Sequence, residues 1–211
     1  MTPTNPMNEA TGNYDHGGQD LAGLLAPIRE RLRASSPNPV ILIDGPSGAG
    51  KTTLADALAC ALPRSVVVHL DDLYLGWSGL DHGSRQVVEQ LLVPRAAGLP
   101  GRWQRYDWKT GELAEWHRVD AGYPLIIEGC GALSRAGAAL ADLRIWLVAD
   151  DDERKVRALA RSEGFDAFWE AWEQQFAAFV AKEKPQQSAD LILDACGVSR
   201  GEFGSDGRAP R

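Results

Sequence analysis

Gly45-Pro-Ser-Gly-Ala-Gly-Lys51-Thr52 decides the fold. The stretch satisfies the pattern GxxxxGK[ST] at every position, and its flanks have the order that pattern needs. A short apolar run, residues 39–44, precedes it, and Leu54, Leu58 and Leu62 follow at helical spacing. Glycines let the backbone turn tightly, so that successive N–H groups converge on phosphate oxygens. The start of the following helix adds partial positive charge at the same place. The chain from Gly45 through Pro46, Ser47, Gly48, Ala49 and Gly50 to Lys51, Thr52 and Thr53 is therefore the expected cradle of a nucleoside triphosphate. Lys51 can reach the β- and γ-phosphates, and the Thr52 hydroxyl can ligate Mg²⁺. The cofactors expected are Mg²⁺ with ATP, or GTP. Binding follows from this motif; a reaction does not yet.

Outward from the loop, short buried strands alternate with helices. Leu21, Leu24, Leu25, Ile28 and Leu32 recur at helical spacing ahead of the first strand. Further apolar runs at 66–70, 125–129, 143–148 and 190–194 read as strands buried on both faces. Residues 84–97, 151–163 and 165–181 read as helices. Between them, residues 102–119 carry Trp103, Tyr106, Trp108 and Trp116 around a Lys109-Thr110-Gly111 turn, the signature of a β-hairpin. Strands alternating with helices predict an α/β fold, a doubly wound and mainly parallel five-stranded sheet. The expected organisation is one domain over 20–196, with a hairpin insertion at 102–119 and a lid helix at 151–163. Residues 1–19 read as disordered and 197–211 as a loose tail.

Bulk composition narrows the function. A net charge of −7 repels a phosphate backbone, so general nucleic-acid binding is disfavoured. No apolar run has the length a membrane helix needs, and the N-terminal stretch lacks the charged and apolar regions of a secretory signal. Cys60, Cys130 and Cys196 form no CxxC pair; they read as reduced, mostly buried thiols of a cytoplasmic protein. A small anionic ligand held by a few converging cations fits this balance.

Several residues outside the loop are placed for chemistry. Asp71 follows the second strand, at the sheet edge where a doubly wound fold forms its ligand crevice. There it can accept the proton of an attacking hydroxyl, or help hold the metal. Adjacent carboxylates cannot both face one substrate, so Asp71 and Asp72 cannot share that role. Glu128 ends the third strand and can hold Mg²⁺ through water. Arg154, Arg157 and Arg161 share a helical face that can clamp phosphates, Arg157 and Arg161 foremost. Tyr106 and Trp108 adjoin the hairpin turn and can stack on a base; Trp103 and Trp116 are expected to pack the subdomain. Phe165, Phe168, Trp169, Trp172, Phe176 and Phe179 form a core stripe. The histidines show no spacing that suggests a metal site.

At this point the chain resembles the uridine kinase group of P-loop kinases, relatives of phosphoribulokinase and bacterial pantothenate kinase. The likeness runs in order from about residue 39 to 194. Asp71-Asp-Leu-Tyr74 is similar to the family's D-x-F-Y, and Tyr106-Asp107-Trp108 to the Y-D-[FY] of its nucleoside site. Ile126-Ile-Glu128-Gly129 resembles its E-G strand end, and Asp152 with Arg154, Arg157 and Arg161 its lid pattern. Lys184-Pro185 and Ala189-Asp190 resemble its entry into the last strand. The resemblance implies a P-loop NTPase fold with Asp71 as catalytic base, Lys51, Arg157 and Arg161 as charge stabilisers, and Asp71, Tyr74, Tyr106 and Trp108 around the acceptor. Thr52 and Glu128 would hold the metal. Departures fall mostly on the acceptor side: Leu73 stands for Phe, Ser162 for Asp, and His117-Arg118 is a displaced counterpart of H-x-R.

The expected function is ATP-dependent phosphorylation of a hydroxyl on a small metabolite, a nucleoside first. Two alternatives stay open: a nucleoside monophosphate, shikimate- or gluconate-type kinase, for which Arg102, Arg105 and Lys109 could supply cations, and an ATP-dependent binding switch without transfer.

Overall fold

The computed structural model describes residues 21–33, 36–161 and 164–194. Expectations placed on 1–19, Ser162, Cys196 and the tail 197–211 lie outside the described residues. Helix α1 (Leu21–Arg33) precedes strand β1 (Val40–Asp44), and the loop then opens helix α2 (Lys51–Ala61) before β2 (Val66–His69). Two 3-10 turns, Leu70–Asp72 and Gly76–Ser78, lead to α3 (Leu80–Gln86). A π-helical segment, Val87–Leu92, carries it into α4 (Val93–Ala96). The predicted helix over 84–97 thus starts earlier and widens just ahead of Pro94, which has no N–H to continue the ladder.

Strands β3 (Gly101–Asp107) and β4 (Glu112–Val119) form the expected antiparallel hairpin. Then come β5 (Leu125–Glu128), α5 (Arg135–Ala138), β6 (Leu143–Val148) and α6 (Asp151–Arg161). A 3-10 turn at Phe165–Phe168 enters α7 (Trp169–Glu183); α8 (Pro185–Ser188) and β7 (Leu191–Asp194) follow.

The main sheet has five strands in the order β2-β5-β1-β6-β7, every neighbouring pair parallel. Side chains of a strand alternate between its faces, and β1 shows both faces covered. Ile41 and Ile43 join Leu24, Ile28, Leu54 and Leu58 of α1 and α2 on one side. Val40 and Leu42 join Leu91, Trp146, Trp172 and Phe176 on the other. Ile41, Leu42 and Ile43 are fully buried, each worth about 1.5–3 kcal/mol of hydrophobic stabilisation. This is why the run reads as continuously apolar rather than alternating. β1 lies between β5 and β6, so the chain leaving it enters the crevice where the strand order reverses.

Details depart from expectation where tertiary contacts decide. Phe168 is 41% exposed while the other five members of the aromatic stripe are buried. Trp103 packs into the core, but Trp116 is 54% exposed with Arg102 over its ring. Cys130 is buried and Cys60 is exposed on α2. No helix among the described residues is long and apolar enough to cross a membrane.

Candidate functional site

The loop after β1 is held by contacts that only its residue types permit. Gly48 has φ +80°, and a Cβ there would lie 2.0 Å from the Arg154 carbonyl oxygen. Gly45 has φ +146°, and its Cβ would lie 2.5 Å from the Leu147 carbonyl oxygen. The loop is therefore pressed between the end of β6 and the start of α6, at an approach no larger residue can make. Lys51, the first residue of α2, donates its ammonium to the carbonyls of Gly45 and Pro46 at 2.9 Å each. Ala49 is fully buried in the core, so it and Pro46 serve the loop through backbone shape.

Asp44 anchors the loop from below. It is fully buried and accepts N–H bonds from Gly45 at 2.7 Å, Gly131 at 3.1 Å and Leu133 at 2.8 Å. Burial pushes its carboxyl up from 3.8 to about 6, against the pull of those three N–H groups and of Lys51. An acid whose folded value lies above its unfolded one favours the fold at low pH, and loses that advantage as pH rises through the folded value. At about 1.4 kcal/mol per pH unit, that loss is roughly 3 kcal/mol. The stability of the wild type minus that of Asp44→Asn should fall by that amount between about pH 4 and pH 6 and be level above pH 7. Urea titrations of both proteins across this range check it; a flat difference would contradict it.

Beside the loop, the ends of β5 and β2 bring acids and a histidine together. His69 and Glu128 are register partners, and His69 Nδ1 lies 2.7 Å from Glu128 Oε1. Thr52 donates its hydroxyl to the same oxygen at 3.0 Å. Burial raises the Glu128 carboxyl, but the His69 hydrogen bond and the Lys51 and His69 charges outweigh it, leaving it below the usual range. His69 is held above its ordinary value, chiefly by its hydrogen bond to Glu128. Among the described residues no cluster of three or more His, Cys, Asp or Glu could hold a metal unaided. A hydroxyl and a carboxylate sharing one point fit Mg²⁺, which takes few protein oxygens and completes its shell with phosphates and water.

Asp71 sits on the turn after β2, with Arg161 of α6 at 3.0 Å from its carboxylate. The Asp71 side chain is half exposed; the protein packed around it raises its carboxyl above the ordinary range, while Arg161 pulls it down. A cavity of about 460 Å³ has Lys51, Thr52, Asp71, Glu128, Arg157 and Arg161 in its walls. Two guanidinium nitrogens of Arg157 are buried without a hydrogen-bond partner, the nearest carboxylate being Glu153 at 3.9 Å. Arg154 does not join them. It bonds Asp151 at 2.7 Å and Glu173 at 2.6 Å beneath the helix, with its guanidinium over Trp169.

Of the expected acceptor residues, Asp71 lines this cavity and Tyr74, Tyr106 and Trp108 do not. The Tyr74 side chain is 1% exposed, its hydroxyl donates to the Cys130 carbonyl at 2.7 Å, and it supports the loop after β5 instead of facing a ligand. Tyr106 and Trp108 line a second cavity of about 880 Å³ with Asp72, between the hairpin and β2. Asp71 and Asp72 thus face different spaces, as adjacent residues of a turn must. Trp108 still touches the first region, for its indole N–H donates to the Asp71 carbonyl at 2.8 Å. The sequence assigns His69 and Asp44 no role, and Trp172 only a place in the core stripe. Their partners lie on other elements, and no local spacing marks them.

No protein-family model matches the chain. Over 136 residues it is 33% identical to uridine-cytidine kinase C of Dictyostelium discoideum, covering 55% of this chain and 28% of that protein. Over 171 residues it is 32% identical to cytidylate kinase of Klebsiella pneumoniae, covering 63% of this chain and 74% of that protein. The chain spans about half the length of other curated cytidylate kinases it matches. The solved structure of a possible uridine kinase from Bacillus stearothermophilus aligns with a TM-score of 0.55 at 20% identity, over 80% of this chain and all of that one. At that identity the likeness is one of fold.

Proposed function

This chain belongs to the P-loop kinases, and we propose that it transfers the terminal phosphoryl group of ATP to a hydroxyl of a small metabolite, a nucleoside in preference to a nucleotide. The observation that carries this reading is one cavity walled by Lys51, Thr52, Asp71, Glu128 and Arg161. Those groups are what phosphoryl transfer asks of a protein, because its catalysis is mostly positioning and electrostatic stabilisation.

In this reading Asp71 accepts the proton of the acceptor hydroxyl and orients the oxygen. Its raised affinity for a proton suits that task. Lys51 and the loop N–H groups hold the phosphate oxygens, and Arg157 and Arg161 take up negative charge as the phosphoryl group moves. Thr52 and Glu128 would hold Mg²⁺, which when bound neutralises charge between the β- and γ-phosphates. His69 keeps Glu128 ionised and fixes its orientation. ATP is preferred over GTP only on the family resemblance, and a cytoplasmic setting belongs to the same proposal.

The likeness to cytidylate kinases favours a monophosphate acceptor, whereas the charges on the hairpin favour a nucleoside. A phosphate on the acceptor needs converging cations. Arg105 is already closed on Glu115 at 2.7 Å and Asp107 at 3.4 Å. Arg102 lies over the exposed Trp116 ring, away from the second cavity. Lys109 stands on the exposed turn; it, Arg105 and His117 line the space together with Asp72, Asp107 and Glu115, so the cations there are matched by carboxylates.

An ADP-release screen with Mg-ATP against matched nucleosides and their monophosphates decides between them. The unphosphorylated partner is expected to have a kcat/KM at least about tenfold higher, the cost of one unfavourable charge placement of about 1.4 kcal/mol. Faster turnover of the monophosphates would reverse the assignment. Binding of ATP with no consumption across the panel would leave a nucleotide-dependent binding module.

A further inference from the structure

The indole N–H of Trp172, on the buried face of α7, donates to Ser47 Oγ of the phosphate loop at 2.9 Å. Ser47 is 9% exposed and Trp172 4%, so neither group exchanges this bond easily for water. An indole nitrogen can only donate. With one lone pair of Ser47 engaged, its own hydrogen is directed away from Trp172, toward Cys130 Sγ at 3.5 Å or into the phosphate cavity that Ser47 also lines. Trp172 therefore sets this hydroxyl up as a donor to an anion.

The same indole is part of a continuous aromatic contact. Trp172 meets Tyr74 edge-on at 4.9 Å and Trp77 at 6.4 Å. Trp77 stacks on Phe165 and Phe168, each at 4.9 Å, and tilts onto Trp108 at 4.8 Å. One turn along α7 from Trp172, Gln175 donates its side-chain N–H to the Trp77 carbonyl at 2.7 Å. Trp108 in turn donates to the Asp71 carbonyl at 2.8 Å. Phosphate loop, hairpin tip, the turn after α6 and the turn bearing Asp71 are thus joined through the indole rings of Trp172, Trp77 and Trp108, none of which the phosphate motif specifies.

We infer that Trp172 is a positioning residue for the phosphate loop, and that through Trp77 it couples the loop's hold on nucleotide to the docking of the hairpin tip and of the turn at Phe165–Phe168. The inference rests on the nucleotide-binding part of the proposed function. A Trp77 ring pinned by four aromatic neighbours holds the Trp172 ring, and the ring's tilt aims the N–H at Ser47. Loosening the hairpin side should therefore be felt at the loop, although the Trp77 side chain lines no part of the phosphate cavity.

The test is titration calorimetry of Mg-ADP into the full chain and into Trp172→Phe, Ser47→Ala, the double variant and Trp77→Leu, with a thermal melt of each. Trp172→Phe keeps a ring and removes the N–H. It and Ser47→Ala should each weaken Mg-ADP binding about fivefold, the effect of one buried hydrogen bond. The double variant should bind within twofold of either single one, because both remove the same interaction. Trp77→Leu should weaken binding by a similar factor. Additive losses in the double variant would overturn the inference. So would unchanged affinity in Trp172→Phe, or in a folded Trp77→Leu. Should Trp77→Leu fail to fold, the cycle between Ser47 and Trp172 decides alone. A wild-type chain that binds no Mg-ADP would remove the nucleotide reading itself, and this inference with it.

Discussion

Asp71→Asn should bind Mg-ATP with wild-type affinity and turn over at least about a hundredfold more slowly, the lower end of what a positioned general base contributes. The substitution keeps the shape of the side chain and removes its ability to take a proton. Among the described residues the ion pair it breaks is with Arg161, whose side chain is 50% exposed, so the loss in stability is small. Removing a negative charge from a cavity meant for phosphate leaves nucleotide affinity unchanged or slightly tighter. The loss should therefore fall on kcat, with KM for ATP within about threefold, as for an interaction made only in the transition state. Steady-state kinetics with any acceptor found in the ADP-release screen give the answer. Undiminished kcat would end the base assignment.

Lys51→Met is the second large effect. The Lys51 side chain is nearly buried and its ammonium is held by the carbonyls of Gly45 and Pro46, so it stands at the mouth of the loop's N–H groups. Its charge also draws down the carboxyls of Asp44, Asp71 and Glu128. Methionine keeps the apolar stem and loses both functions. Two carbonyls are left unpaired, and triphosphate meets Asp71 and Glu128 with no ammonium between them. Truncating one member of a buried, hydrogen-bonded charge pair costs 2–5 kcal/mol or more, so Mg-ATP affinity should drop by about a hundredfold or more. A thermal-shift series reads this directly: nucleotide at about 100 times Kd adds roughly 2.7 kcal/mol to the wild type, and the same concentration should leave the Lys51→Met melt almost unmoved. An equal shift in both proteins would separate Lys51 from the phosphates.

What the sequence makes legible is what local chemistry settles. Val40–Asp44 and Leu125–Glu128 are apolar at every position before the closing acid, as a strand covered on both faces requires. The glycines of the loop announce a backbone path, which the close approach of Gly48 to the Arg154 carbonyl requires. Distant partners are not written locally. Arg154, Arg157 and Arg161 share a face of one helix, yet Glu173, nineteen positions from Arg154, turns Arg154 inward while Arg157 and Arg161 meet the cavity. Tyr74 stands where a motif expects a ligand contact, but the Cys130 carbonyl takes its hydroxyl. That Tyr106 and Trp108 would line a space on the Asp72 side depends on how the hairpin docks against β2, which a turn signal cannot specify. Trp172 reads as one more member of a core stripe, and so it is; its bond to Ser47 spans 125 positions.

In the proposed function this loop and its acidic neighbours grip a magnesium nucleotide in one cavity. Titration calorimetry of Mg-ATP, with Mg-GTP in parallel, into folded full-length chain tests it with no need of an acceptor. The heat is expected to saturate at one nucleotide per chain and to collapse when EDTA removes the magnesium. Folded protein that gives no heat with either nucleotide, or binds both as well without the metal, would contradict it.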